Sequence, residues 1–464
     1  MYKKVACLAL IAVGLFGQQV AAQTASDELD FEFFRTKVQP IFLAERHNHA
    51  RCIGCHTVPP GGNTPALAPL AKNQLMWTEA QSRQNFAEFS KKVVPGSLKS
   101  PLLVHPLAQA AGGDMAHLGG KHFKTQDDPE WQVLKAWVFG AKVPTGPVTM
   151  KPRFLQTNFA GTSVDVIDTA TNKIVGEIKG IELSHGVAAA PDGSRIYVSN
   201  ESESTLDVVE AKSLLPLQRI PLSGHPNNIS ISKDGRRVYV SIATRTGGVD
   251  IIDTATATVA KTVPLNMSVH NTFVTPDGKY VVAGSIQGKA AAIIDTKTEE
   301  VAWPMPMDTG VRPMAFATNP DGSTKWIFMQ LAAFNGFAVV DFATHKEVKR
   351  LTLPALAPGR KPYPPGSEIS HGMAVTPDGK TLVVVSRINS ALYSYSLPDL
   401  TVTGTAELEG KGSGWVSITP DGARAYIANT NTDDVSVVDI KTMKEIARIP
   451  VGASPKRNIV AMLP

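Results

Sequence analysis

The feature that most constrains this chain is a turn ending in Asp-Gly that returns at a near-constant interval. It occurs as Pro191-Asp192-Gly193, Lys233-Asp234-Gly235, Pro276-Asp277-Gly278, Pro320-Asp321-Gly322, Pro377-Asp378-Gly379 and Pro420-Asp421-Gly422. The aspartates stand 42, 43, 44, 57 and 43 residues apart. A second marker keeps step with it, a β-branched run closing on an acid: Val166-Ile167-Asp168, Ile251-Ile252-Asp253, Ile293-Ile294-Asp295, Val339-Val340-Asp341 and Val437-Val438-Asp439. Val208-Val209-Glu210 and the degenerate Tyr395-Ser396-Leu397 fill the two remaining places, making seven. A period of about 40–45 residues with four strand-like runs per unit is the mark of a β-propeller blade.

The ends of this region predict ring closure. Arg153 to Asn158 matches Arg195 to Asn200, the second strand of a repeat, so the region begins in mid-blade. It finishes with Asn458 to Leu463, which matches a first strand such as Gly186 to Ala190. The two ends would then share one blade and leave no open edge. The expected fold is multidomain: an all-α domain over 23–143, a Pro-rich linker over 144–152, and an all-β seven-bladed propeller over 153–464.

The N-terminal part has a different texture. Lys3 and Lys4 precede an apolar stretch from Val5 to Phe16, and Val20-Ala21-Ala22 has the small residues of a secretory cleavage site. The alternative is an uncleaved anchor helix, but the apolar run is short and its far flank is polar. Cleavage after Ala22 predicts an exported, periplasmic protein with no membrane span. Removing Lys3 and Lys4 lowers the formal net charge from +5 to +3, too small an excess to point to nucleic acid. Phe31, Phe34, Val38 and Phe42 then recur at helical intervals, as do Trp131, Leu134, Trp137 and Val138 after Asp127-Asp128-Pro129-Glu130.

Cleavage would also remove Cys7, leaving Cys52 and Cys55, both within Cys52-Ile53-Gly54-Cys55-His56. Two thiols at this spacing with an imidazole directly after them are the attachment site of a covalent haem c, His56 being the proximal iron ligand. A redox dithiol or half a zinc site are the alternatives, but neither a βαβ context nor a second ligand pair accompanies the motif. The sixth iron ligand should come from Met115, His117 or His122, all within one Gly-rich stretch.

Two resemblances add to this reading. The Pro-Asp-Gly turns, the Ile-Asp-Thr-Ala-Thr segments at 167–171 and 252–256, and Arg195 to Asn200 resemble the YVTN-type seven-bladed propeller family, which includes redox subunits and proteins of no known chemistry. The stretch Phe31 to His56, Val94-Pro95-Gly96, the segment 111–122 and Asp127 to Trp131 resemble a group of exported monohaem cytochrome domains. In that group a histidine before Gly-Gly-Lys recurs, which matches His117, whereas the place of Met115 varies. The resemblance therefore implies His117 as distal ligand ahead of Met115.

Seven residues before each turn aspartate lie His185, Asn227, His270, Met314, His371 and Gly414, and aligning the last strand adds Arg457. One residue per repeat in the same phase should ring one mouth of the propeller channel, just ahead of each innermost strand. His225 and Arg312 stand two residues earlier in their repeats. The rim suits a second transition metal held by His185, His270, His371 and His225, or an anionic substrate; the plain alternative is that these histidines belong to the repeat pattern. The excess of the 57-residue interval falls in 354–370, a Pro-rich loop expected over the same mouth.

Three functions remain open at this point. One is an electron-transfer cytochrome whose propeller docks a redox partner protein or small-molecule ligand. The second is a complete oxidoreductase with another cofactor at the mouth. The third is a haem-based sensor or scaffold.

Overall fold

A computed structural model of the chain describes residues 29–57, 65–144, 146–363 and 369–464. The signal-peptide reading falls on residues 1–22, outside the described part. The chain divides into two compact units, Met1–Pro147 and Val148–Pro464. Among the described residues no helix is long and apolar enough to cross a membrane.

The first unit is helical. Its opening stretch runs Phe31–Phe33, a π-type turn Phe34–Val38, then Gln39–Leu43. The wide turn sits just before Pro40, whose missing N–H breaks the regular α ladder. Helix Glu79–Ser90 begins on a Thr78/Gln81 capping box. Helix Pro129–Val138 begins on Asp128, whose carboxylate accepts the Glu130 and Trp131 N–H groups at 2.9 and 3.3 Å. These helices meet on aromatic rings: the Phe34 centroid lies 4.9 Å from Trp137 and 5.5 Å from Phe86, and Phe42 stacks on Phe89 at 4.5 Å. The buried indoles keep their hydrogen bonds, Trp137 to the Asp30 carbonyl at 3.0 Å and Trp131 to the Leu103 carbonyl at 3.1 Å.

The second unit is a seven-bladed β-propeller, each blade a four-stranded antiparallel sheet. Blade 1 combines Pro455–Leu463, as inner strand, with Lys151–Asn158, Ser163–Asp168 and Lys173–Lys179. The inner strands of blades 2 to 7 are Ser184–Ala189, Pro226–Ile231, Asn271–Val274, Val311–Thr318, Ser370–Val375 and Ser413–Ile418. Each inner strand packs on the next around the ring, and that of blade 7 packs on that of blade 1. The first strand starts at Lys151, so two residues assigned above to the linker are sheet.

Both repeating markers turn out to be turn chemistry. In each Asp-Gly turn the aspartate accepts a backbone N–H two residues on, as Asp192 does from Ser194 at 2.9 Å and Asp378 from Lys380 at 3.0 Å. The glycine beside it is left-handed, φ running from 67° at Gly193 to 83° at Gly322, which only glycine adopts without cost. The five aspartates that close β-runs cap the next hairpin in a similar way, accepting N–H groups two or three residues on: Asp253 accepts the Ala255 and Thr256 N–H groups at 3.0 and 2.9 Å. Near the end of the same run, the pairing of third and fourth strands slips by one residue in all seven blades. Such a bulge adds the local twist that lets the outermost strand swing away from its neighbours.

Candidate functional sites

The helix Cys52–His56 carries both thiols and the imidazole to one side of a cavity of about 580 Å³. Ile41, Phe42, Phe89, Leu102, Phe123 and Leu134 supply apolar wall; His105, His117 and His122 are also on it. Across this space the His56 and His117 rings face each other with centroids 6.4 Å apart and planes 23° from parallel. A metal–imidazole bond of about 2.0 Å, with the centroid about 1.1 Å beyond the nitrogen, puts two rings sharing one ion about 6.2 Å apart. Each ring is also held in the tautomer that ligation requires. His56 Nδ1 donates to the Pro65 carbonyl at 2.8 Å and His117 Nδ1 to the Gly120 carbonyl at 2.7 Å, which leaves both Nε2 atoms with a lone pair. Burial pulls the His56 pKa down, only partly opposed by the Pro65 carbonyl, so the ring is neutral.

The two thiols are free. Burial pushes the Cys52 thiol up, against the pull of Arg46 beside it. A dithiol built for redox exchange would instead have a depressed, thiolate-forming pKa.

The three candidate distal residues separate cleanly. Met115 is 82% exposed and does not line the cavity, because Asp114 accepts the Ala116 N–H at 3.0 Å in a tight turn that faces Met115 outward. His122 lines the cavity but lies against His49, 4.8 Å between centroids; burial and the charge of Arg46 drop its pKa to about 4. His117 alone of the three has its ring paired across the space with His56.

At the propeller mouth the ring residues lie within the inner strands, not ahead of them, except for His270, which precedes its strand by one residue. Arg457 crosses the channel. From blade 1 it donates to Asn271 at 2.8 Å, to Asn227 at 2.6 Å and to the His270 carbonyl at 3.2 Å, and its guanidinium lies 3.7 Å from the Trp415 ring centroid. His185 donates from Nδ1 to Glu201, whose other oxygen lies 3.0 Å from His225 Nε2. His185 and His270 meet edge to face at 6.4 Å, while His371 stands against Trp415 at 5.1 Å. Burial drives the pKa values of His185, His270 and His371 well below the usual range, and Arg457 pushes each the same way, joined at His371 by Arg312 and Arg387.

This geometry changes the expectation of a common metal rim. Among the described residues no three His, Cys, Asp or Glu side chains are grouped to hold an ion. The imidazoles are spread around a guanidinium, which repels a cation. Met314 is not a rim residue either: it is buried with Val282, Ala291, Val311 and Met329 between blades 4 and 5. At Gly414 a Cβ would stand 3.7 Å from His371 Nδ1, an ordinary contact, so that ring does not itself demand glycine there. In the long loop, Tyr363 N–H donates to the Ile388 carbonyl at 2.6 Å and Arg360 pairs with Glu407 at 2.7 Å; residues 364–368 lie outside the described part.

Residues 249–447 match the family model for lactonase, 7-bladed beta-propeller. The match covers less than half of the chain and lies wholly within the propeller. A relative of known sequence is the seven-bladed beta-propeller protein Rv1057 of Mycobacterium tuberculosis, 32% identical over 117 residues; these make up 24% of this chain and 30% of that protein. Among solved structures, a chain of hydrazine synthase from Kuenenia stuttgartiensis superimposes with a TM-score of 0.54 at 22% identity, covering 65% of this chain and 98% of that one. The periplasmic gluconolactonase of Pseudomonas aeruginosa does so with a TM-score of 0.54 at 20% identity, covering 68% and 99%. At these identities the likeness is one of fold.

Sequence reasoning missed Glu201 and Arg387. Both are the first residue after the second strand of their blade, following Ser199-Asn200 and Val385-Ser386. That phase of the repeat reaches the same mouth from one strand further out, where Phe159 also sits, 5.4 Å from the His185 ring.

Proposed function

We propose that the protein is an exported c-type cytochrome that exchanges electrons through one covalent haem, and that its propeller binds a small anionic ligand at the Arg457 mouth. The carrying observation is the His56–His117 pair: two imidazoles, each tethered through Nδ1 to a backbone carbonyl, facing each other at one-ion spacing beside a Cys-x-x-Cys-His helix. The residues present fit a haem. Cys52 and Cys55 would hold it covalently, His56 and His117 would bind its iron, and the Phe42, Phe89 and Leu134 walls would keep water off. Bound there, the haem would supply one-electron chemistry at a potential lowered by two imidazoles compared with a His/Met pair. An intact Cys52–Cys55 dithiol in the mature protein has no comparable support, given the raised Cys52 thiol.

The propeller reading rests on charge. Arg312, Arg387, Lys456 and Arg457 surround neutral imidazoles, with Glu201 as the opposing carboxylate. Such a mouth recruits carboxylate or phosphate groups in preference to metal ions. The strands of blade 1, drawn from the two ends of the chain, would hold this mouth in shape.

Absorption spectra of the purified holoprotein test the haem reading. The oxidised protein should be low-spin without the near-infrared band of methionine ligation, and Met115→Leu should leave it so. His117→Ala should convert it to high-spin. Haem that extracts into acidified organic solvent, or a His117→Ala spectrum identical to the wild type, overturns the reading.

A further inference from the structure

We propose that Asp114 is a positioning residue for His117, fixing that imidazole on the cavity wall through His105 and Lys121. The inference rests on the reading of His117 as an iron ligand.

The segment that carries His117 has little to hold it by apolar burial. Met115 is exposed, Leu118 is fully so, and glycines stand at 112, 113, 119 and 120. A segment of this composition would move freely if nothing else tied it down. Polar contacts tie it at both ends. Asp114 donates its N–H to the Val104 carbonyl at 3.1 Å, at the close of helix Pro101–Val104. One carboxylate oxygen takes the Ala116 N–H at 3.0 Å and the other takes His105 Nδ1–H at 2.6 Å. Lys121, at the far end, donates to the His105 carbonyl at 2.7 Å and to the Asp114 carbonyl, and its ammonium stands 3.6 Å from the Asp114 carboxylate.

The result is a closed loop whose two ends are pinned to each other and to residues 104–105. His117 lies inside it. Its ring is parallel to that of His105, 7° between planes and 6.5 Å between centroids. On another side it lies over Gly119, where a Cβ would come within 3.0 Å of His117 Cε1. Asp114 touches neither the cavity nor His117. It acts by fixing the position of His105 and of the backbone turn from which His117 projects. Charge-assisted hydrogen bonds are the strong ones, and this carboxylate makes the bond that orients His105.

The test is the rate at which cyanide, as probe, displaces the distal imidazole from the ferric holoprotein. Asp114→Asn keeps the shape and removes the charge; cyanide binding should become about two- to fivefold faster, the rate equivalent of losing one charged contact between partly exposed side chains. His105→Phe keeps the ring and removes the tether, and should raise the rate comparably. The double variant should be no faster than the quicker single one, because both act on one link. Met115→Ser, on the same segment but outside the clamp, should bind cyanide at the wild-type rate. His117→Ala is the reference for an open site. If His117→Ala is open while Asp114→Asn and His105→Phe bind at the wild-type rate, the positioning role is wrong and the ligand assignment stands. If His117→Ala behaves as the wild type, the ligand assignment itself falls.

Discussion

His371 offers a clean measure of what burying a neutral imidazole does to this propeller. The ring is 7% exposed, set edge to face against Trp415, with Arg312, Arg387 and Arg457 around it. Burial first, and these cations second, hold its folded pKa well below the ordinary value. The folded state therefore binds fewer protons than the unfolded chain once pH falls under the unfolded pKa of about 6.5. Stability from this site is complete above that value and drains away as pH drops toward the folded pKa. At about pH 5.5, one unit below, the loss is RT ln(1 + 10), or about 1.4 kcal/mol, and at about pH 8 it is negligible. His371→Asn cannot take up this proton. Its loss of ring packing costs the same at both pH values and cancels when the two are compared. Urea unfolding followed by tryptophan fluorescence, run on both proteins at the two pH values, isolates the difference. The wild type should lose about 1.4 kcal/mol more than His371→Asn on acidification. Equal losses would mean that His371 titrates normally, and that the mouth is neither as buried nor as cationic as described.

Two further outcomes follow from the same unit. Arg457→Met should cost about 2–4 kcal/mol in a thermal or urea melt, because it strips partners from Asn227, Asn271 and the His270 carbonyl; an unchanged midpoint would show that these groups find other partners. Deleting residues 458–464 removes most of the inner strand of blade 1 and its pairing with Lys151–Asn158. The whole propeller should lose its cooperative transition, not one blade alone, and retention of the wild-type midpoint would refute the role given to that strand.

The blades were legible in the sequence because they rest on local chemistry. An aspartate that accepts an N–H two residues ahead, followed by a glycine at positive φ, needs nothing beyond its own turn, as Asp192 and Gly193 show. Six such turns, with the blade shared between the two ends as the seventh repeat, leave a ring as the arrangement that pairs every blade with two neighbours. The segment Cys52 to His56 is local in the same sense: one helical turn places both thiols and the imidazole. Met115 and His117, two residues apart, are parted by equally short-range contacts, the Asp114 turn and the Gly120 carbonyl that captures His117 Nδ1, but these belong to no repeat that would reveal them in the sequence. The pairing of the His117 ring with His56 is long-range, and only the tertiary structure brings it about.

The propeller mouth divides along the same line. Phase within the repeat placed His185, His270, His371 and Arg457 at one end of the channel, since every blade obeys one register. Phase could not say that Arg457 reaches across from blade 1 to blades 3 and 4, or that Met314 turns into the core between blades. Nor could it pair Glu201 with His185 and His225, which come from strands and loops of two different blades. Those contacts join side chains of neighbouring or distant repeats, and a periodic sequence carries the position of each repeat but not the reach of a long side chain. The tertiary structure alone decides what charge stands at the centre of the ring, and here it is a guanidinium.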